Sequence, residues 1–201
     1  MTTRMLLTLL TATCLAACNP AGETALDCGA PTATTGEAAI GGDWQLVDHT
    51  GRIRTDDDFL GKPQLIYFGF AFCPDVCPTA LQRMGSMART IDPDGSRLHY
   101  LFFTVDPERD TPEALAPYVE SDPFAPGLVG LTGERAAVET AQEAFKIFAQ
   151  KREDDSSASD YLYDHSDYII VLDAQGGFAD VIFPDEDPAT AARCLAKQLA
   201  I

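Results

Sequence analysis

The stretch Gln64–Gly69 (QLIYFG), followed by Phe70–Pro78 (FAFCPDVCP) and Thr79–Thr90 (TALQRMGSMART), decides the fold. A short continuous apolar run ending on glycine has the length and bounds of a buried strand. After a proline-punctuated loop, Leu81, Met84 and Met87 or Ala88 recur at helical spacing on one face. A second apolar run, Leu98–Val105, then reads as another buried strand. Parallel neighbours need a crossover of this length, so strand, helix and strand form a βαβ unit.

The loop at the strand-to-helix junction carries Cys73 and Cys77. Proline has no N–H and is tolerated only among a helix's orphan donors, so Pro78 lies in the first turn or before it. With Asp75 as N-cap, Cys77 falls in the first turn; with Thr79 as N-cap, Gln82 completes a capping box. Either start puts both thiols at the positive end of the helix, where thiolate is favoured. The flanking prolines and the strand end are expected to leave them at the surface.

Two thiols with three residues between them can close a disulfide or hold one soft metal ion, whereas the thioredoxin redox motif has two intervening residues. A metal site needs a third ligand, and the chain has three histidines, His49, His99 and His165. His49 sits in a polar turn beside Gly51 and His99 inside a strand pattern, both with structural readings. His165, in Tyr163–Asp167 (YDHSD) just before the run Tyr168–Leu172, is the expected ligand. Two thiolates and an imidazole suit copper in either oxidation state; structural zinc wants a fourth ligand, and a carboxylate such as Asp75 is too hard a donor for Cu(I).

Working outward, Trp44–Val47 and Arg52–Arg54 flank a turn and predict an N-terminal β-hairpin. Beyond Asp106 the chain is expected to leave the sheet for a helical excursion. One helix starts at Thr111 with Pro112; a second spans roughly 133–150 with Val138, Ala141, Phe145 and Phe148 on one stripe. The polar stretch Lys151–Asp160 reads as a mobile loop upstream of His165. Tyr168–Leu172 and Phe178–Phe183 predict a second hairpin, and Asp187 with Pro188 opens a last helix. The fold class is α/β: a thioredoxin-like fold with an extra N-terminal β-hairpin and a helical insertion.

The N-terminus reads as a targeting segment. Arg4 supplies a positive start, Met5–Ala17 is mostly apolar, and Leu15–Cys18 (LAAC) ends it. The run is well short of the ~20 residues a spanning helix needs. The expected organisation is a signal peptide at 1–17, a flexible tether at 18–40 rich in Ala, Thr, Gly, Pro and Glu, and one domain at 41–201. Net charge is −17, or −18 once Arg4 is removed, which argues against nucleic acid as a partner. With Cys14 lost with the signal and Cys18 at its end, Cys28 and Cys194 remain as a candidate pair to staple the chain ends; sequence alone does not fix the connectivity.

The chain resembles the SCO/SenC family of thioredoxin-fold copper proteins. The matching segments are Gly61–Pro63 leading into Tyr67–Gly69, then Cys73–Pro78, Thr104–Pro107 with Arg109–Pro112, and Asp164–Ser166 with Tyr168. Ala71 and Phe72 depart from the family pattern but touch no ligand. The resemblance implies that Cys73, Cys77 and His165 bind copper, as Cu(I) or Cu(II). It further implies delivery of copper to the CuA site of cytochrome c oxidase subunit II, or reduction of that site's cysteines by the Cys73–Cys77 dithiol. Another periplasmic copper carrier or a thiol reductase is an implied second partner. The LAAC sequence likewise resembles the lipobox of bacterial lipoproteins, implying lipidation of Cys18 and anchoring at the periplasmic face of a membrane. Asp106, Arg109 and Asp110 read as a loop held by ion pairs, and Asp164 is a candidate to orient His165 through its other ring nitrogen.

Overall fold

A computed structural model describes Cys28 and residues 40–153 and 161–201. The signal and the tether, Cys28 and Ile40 excepted, lie outside these residues. Among the described residues no helix is long and apolar enough to cross a membrane.

The hairpin forms from β1 (Gln45–Asp48) and β2 (Ile53–Thr55). Its turn closes on Asp48, whose carboxylate accepts from the Thr50 and Arg52 backbone N–H groups and the Thr50 hydroxyl, an Asx-type turn. Then come β3 (Gln64–Gly69), α1 (Val76–Ile91) and β4 (His99–Thr104), with β3 and β4 parallel. In α2 (Pro112–Val119) the Thr111 hydroxyl accepts from Ala114 N–H, the N-cap arrangement expected of Thr-Pro.

The helical insertion is only partly helical. Between α2 and α3 (Arg135–Ala144) lies β5 (Val129–Thr132), which enters the sheet parallel to β4 and antiparallel to β1. The second helix of the excursion ends well before residue 150: Lys146 is left-handed (φ 57°), which stops the helix. The chain then becomes β6 (Ala149–Glu153), paired antiparallel with β7 (Tyr161–His165). The start of the expected mobile loop is therefore strand; residues 154–160 lie outside the described residues. Finally β8 (Ile169–Leu172), β9 (Phe178–Ile182) and α4 (Pro188–Leu199, capped by Asp187) complete the chain.

The main sheet runs β2-β1-β5-β4-β3-β8-β9, with β6–β7 a separate two-stranded arm. β3 and β4 are central, so their side chains are buried on both faces. Phe68 and Phe103 stack on each other at 4.8 Å and meet Phe145 beyond α3. One residue earlier Tyr67 and Phe102 point to the opposite face, where Phe102 meets Tyr118 of α2. This alternation aims Tyr67 and Gly69 towards the first turn of α1, where Cys77 sits. Cys28 is disulfide-bonded to Cys194 in α4, 166 positions away, so the expected tether is attached to the domain at Cys28.

Candidate metal centre

Helix α1 starts with Asp75 at the N-cap position, and Cys77 is in the first turn. The Asp75 side chain makes no capping bond. The sulfur of Cys73 takes that place, accepting from Cys77 N–H at 3.4 Å, while Cys73 N–H donates to Phe70 O at 3.1 Å. The loop therefore folds Cys73 back over the helix terminus.

The thiols are not at the surface as expected. Cys77 is fully buried and Cys73 is 9% exposed. Cys77 Sγ packs on Gly69 of β3, where a Cβ would come within 2.8 Å of it. The missing side chain at Gly69 is what lets the first turn of α1 lie this close to the strand.

His165, the last residue of β7, reaches the same point from the other side. Its Nε2 lies 3.3 Å from Cys77 Sγ, and its Nδ1 lies 2.9 Å from the Ser166 carbonyl oxygen. The ring is held edgewise by Phe70 and Tyr67 at centroid distances of 5.9 and 6.1 Å. Asp164 does not orient His165. Alternation along β7 turns Asp164 outward to Arg152 on β6, and the neighbouring Ser166 carbonyl takes the role. Tyr67, below the site, donates its hydroxyl to Asp167 at 2.9 Å. His49 and His99 are occupied elsewhere: His49 Nδ1 accepts from Gly130 N–H, and His99 packs edgewise on Phe59.

The two sulfurs ionise differently. A hydrogen bond from the Cys77 thiol lowers the Cys73 thiol to about 4, overcoming partial burial, with His165 adding to the effect. Cys77 is pushed up, first by burial and then by the negative Cys73 beside it. His165 is raised: burial opposes its charge, but Cys73 and the Ser166 carbonyl outweigh it. The pair thus holds one thiolate and one buried thiol.

The donor atoms of Cys73, Cys77 and His165 all lie within 4.8 Å of one another. With metal–donor bonds of about 2.0–2.3 Å, three ligands around one ion sit roughly 3.5–4 Å apart, so closure requires only sub-ångström movement. Two soft sulfurs and one imidazole form a set for a thiophilic ion such as copper. No cysteine or histidine supplies a fourth donor among the described residues.

Fold and site together define a thioredoxin-fold protein with a Cys2His centre at the head of its first central helix. The SCO1/SenC family model matches residues 32–200, and the chain belongs to that family. It is 44% identical over 147 residues to the mitochondrial Protein SCO2 homolog of Danio rerio, covering 72% of this chain and 52% of that protein. It is 36% identical to the SCO2-like protein RC0895 of Rickettsia conorii, covering 74% of this chain and 72% of that one. The solved structure of Bradyrhizobium japonicum ScoI with copper bound superposes with TM-score 0.72 at 37% identity, covering 80% of this chain and all of that chain. The chain spans about half the length of the mitochondrial relatives it matches.

Proposed function

We propose that the chain is a membrane-anchored periplasmic copper carrier that delivers copper to the CuA site of cytochrome c oxidase subunit II. The convergence of Cys73, Cys77 and His165 carries this reading, supported by membership of a family with copper-loaded structures. Copper is cargo here. Cys73 meets the incoming ion as a ready thiolate, Cys77 surrenders its proton on binding, and His165 must be neutral to ligate, so loading releases at least one proton per ion and is favoured as pH rises. Three protein donors leave an open side where an acceptor thiolate can attack and take the ion stepwise. The anchor is a lipid on Cys18, following removal of residues 1–17.

The test is copper stoichiometry on the reduced protein from residue 19 onward. Wild type should bind one equivalent with a thiolate-to-copper charge-transfer band in the Cu(II) form. Cys73→Ser, Cys77→Ser and His165→Ala should each lose that band; an unchanged His165→Ala spectrum refutes the three-donor site. Cys18→Ser should release the protein from membranes or leave the precursor uncleaved.

A second reading, thiol-disulfide reductase of the CuA-site cysteines, rests on the split ionisation of the pair. A low-pKa, slightly exposed Cys73 beside a buried protonated Cys77 is the arrangement of an attacking and a resolving thiol. Reduction of an acceptor disulfide would leave Cys73–Cys77 oxidised, with both electrons passed to the acceptor. Complementation of a deletion strain separates the two readings. Oxidase activity restored by His165→Ala but not by the Cys73→Ser, Cys77→Ser double variant favours the reductase.

A further inference from the structure

His165 comes from an arm that does not belong to the main sheet, whereas Cys73 comes from the loop between β3 and α1 and Cys77 from the first turn of α1. Something must fix the arm against the loop, because a donor misplaced by about 1 Å weakens a site built to roughly half that tolerance. The segment after β4, Asp106–Asp110, reaches both.

The guanidinium of Arg109 is 3.8 Å from the centroid of the Tyr161 ring on β7 and 5.0 Å from that of Phe72, the residue before Cys73. It also lies 5.8 Å from the ring of Phe70, which packs against His165 itself. Its Nη1 donates to the Tyr161 carbonyl at 3.2 Å, and its Nε pairs with the buried Asp106 carboxylate, which also accepts from the Tyr161 hydroxyl. Next to it Asp110 accepts from Ala71 N–H at 3.1 Å and from the Thr104 hydroxyl at 2.6 Å, tying the same cysteine loop to the end of β4. Lys151 covers Tyr161 as well, 3.6 Å from its centroid, and pairs with Glu108.

We propose that Arg109 is a positioning residue for the Cys73/Cys77/His165 centre: stacked against Tyr161 and Phe72, it locks the arm that carries His165 onto the loop that carries Cys73 and leads into the helix turn of Cys77. The inference rests on the copper reading above. A planar, delocalised cation suits the place, since it can face rings and still present edge donors to Asp106 and the Tyr161 carbonyl. A lysine supplies charge without the plane.

The experiment is a double-mutant cycle on the reduced protein from residue 19 onward. Cu(I) affinity is measured by competition with a chromophoric chelator, the Cu(II) charge-transfer band is recorded, and the melt of the copper-free form is followed in parallel. Arg109→Gln should weaken copper about 10- to 100-fold, the range for outer partners of metal ligands, and shift the band. Arg109→Lys should recover part of the loss. With His165→Ala already present, Arg109→Gln should cost less than about threefold, because the arm no longer supplies a donor. If Arg109→Gln does not fold, Tyr161→Leu removes the stacked ring while leaving the Arg109–Asp106 pair, and the same cycle is read on it. Wild-type affinity and spectrum in Arg109→Gln, or an equal loss with and without His165, overturns the positioning role. Wild-type protein that takes up no copper overturns the copper reading and this inference with it.

Discussion

Gly69→Ala isolates the close approach on which the centre is built. The backbone of β3 tolerates alanine there, since Gly69 does not have a positive φ. The added methyl, however, would lie 2.8 Å from Cys77 Sγ, 3.0 Å from Tyr67 Cε1 and 3.2 Å from Phe102 Cε2. Ordinary contacts between such atoms are about 3.5–4.0 Å, so the sulfur must retreat by roughly 0.7–1.2 Å. The strand cannot retreat instead, because Gly69 pairs with Thr104 of β4 and its carbonyl accepts from Val105 N–H at 2.7 Å. Overpacking of this kind costs about 1–3 kcal/mol, or roughly 2–12 °C in Tm for a domain of this size. Displacement of one donor by about 1 Å should weaken copper tenfold or more. Melts of the reduced copper-free protein and Cu(I) competition titrations read the two effects separately. Gly51→Ala is the control: φ is +82° and nothing lies within 4 Å of the added carbon, so it should cost stability through backbone strain and leave copper unchanged. Wild-type copper affinity in Gly69→Ala would refute the claim that this glycine sets the position of Cys77.

Burial raises the Asp110 carboxyl to about 6 from its ordinary 3.8, against the lowering effect of Thr104 and Ala71. The folded state therefore holds that proton more tightly, and Asp110's contribution to stability is greatest below about pH 4 and lost as pH rises through 6, roughly 3 kcal/mol in all. Urea unfolding of the copper-free protein across pH 4–7 should show this slope in wild type and not in Asp110→Asn; parallel profiles would exclude it. Cys28→Ser opens a cross-link across 166 positions, which should lower stability by about 3–5 kcal/mol and Tm by roughly 6–20 °C while leaving copper affinity intact, since the bond touches none of the three donors. Oxidation of Cys73 and Cys77 to a disulfide should abolish copper uptake until reductant restores it, because a metal needs both sulfurs as thiolates. Equal uptake by oxidised and reduced samples with verified thiol counts would count against the dithiol site.

Local rules are strong where chemistry and neighbours in the chain agree. The apolar run Gln64–Gly69, the Thr111-Pro112 and Asp187-Pro188 starts and the turn closed by Asp48 are short-range features, and each forms where its residues direct. The cysteine spacing and the scarcity of histidine likewise single out Cys73, Cys77 and His165 before any coordinates exist. β5 and β6 are another matter. Val129–Thr132 contains a glycine and is only four residues long, and Ala149–Glu153 is almost wholly polar; each becomes a strand because a partner, β4 with β1 or β7, supplies the ladder. The burial of Cys77, the role of Gly69 as the gap it fills, the replacement of Asp164 by the Ser166 carbonyl and the stack of Arg109 between arm and loop depend on segments tens of residues apart meeting in space. Residue types and their spacing determined which donors the chain carries; only the packing of β3, α1 and the β6–β7 arm decided that they face one another and what holds them there, because distance across a core is set by the side chains that fill it.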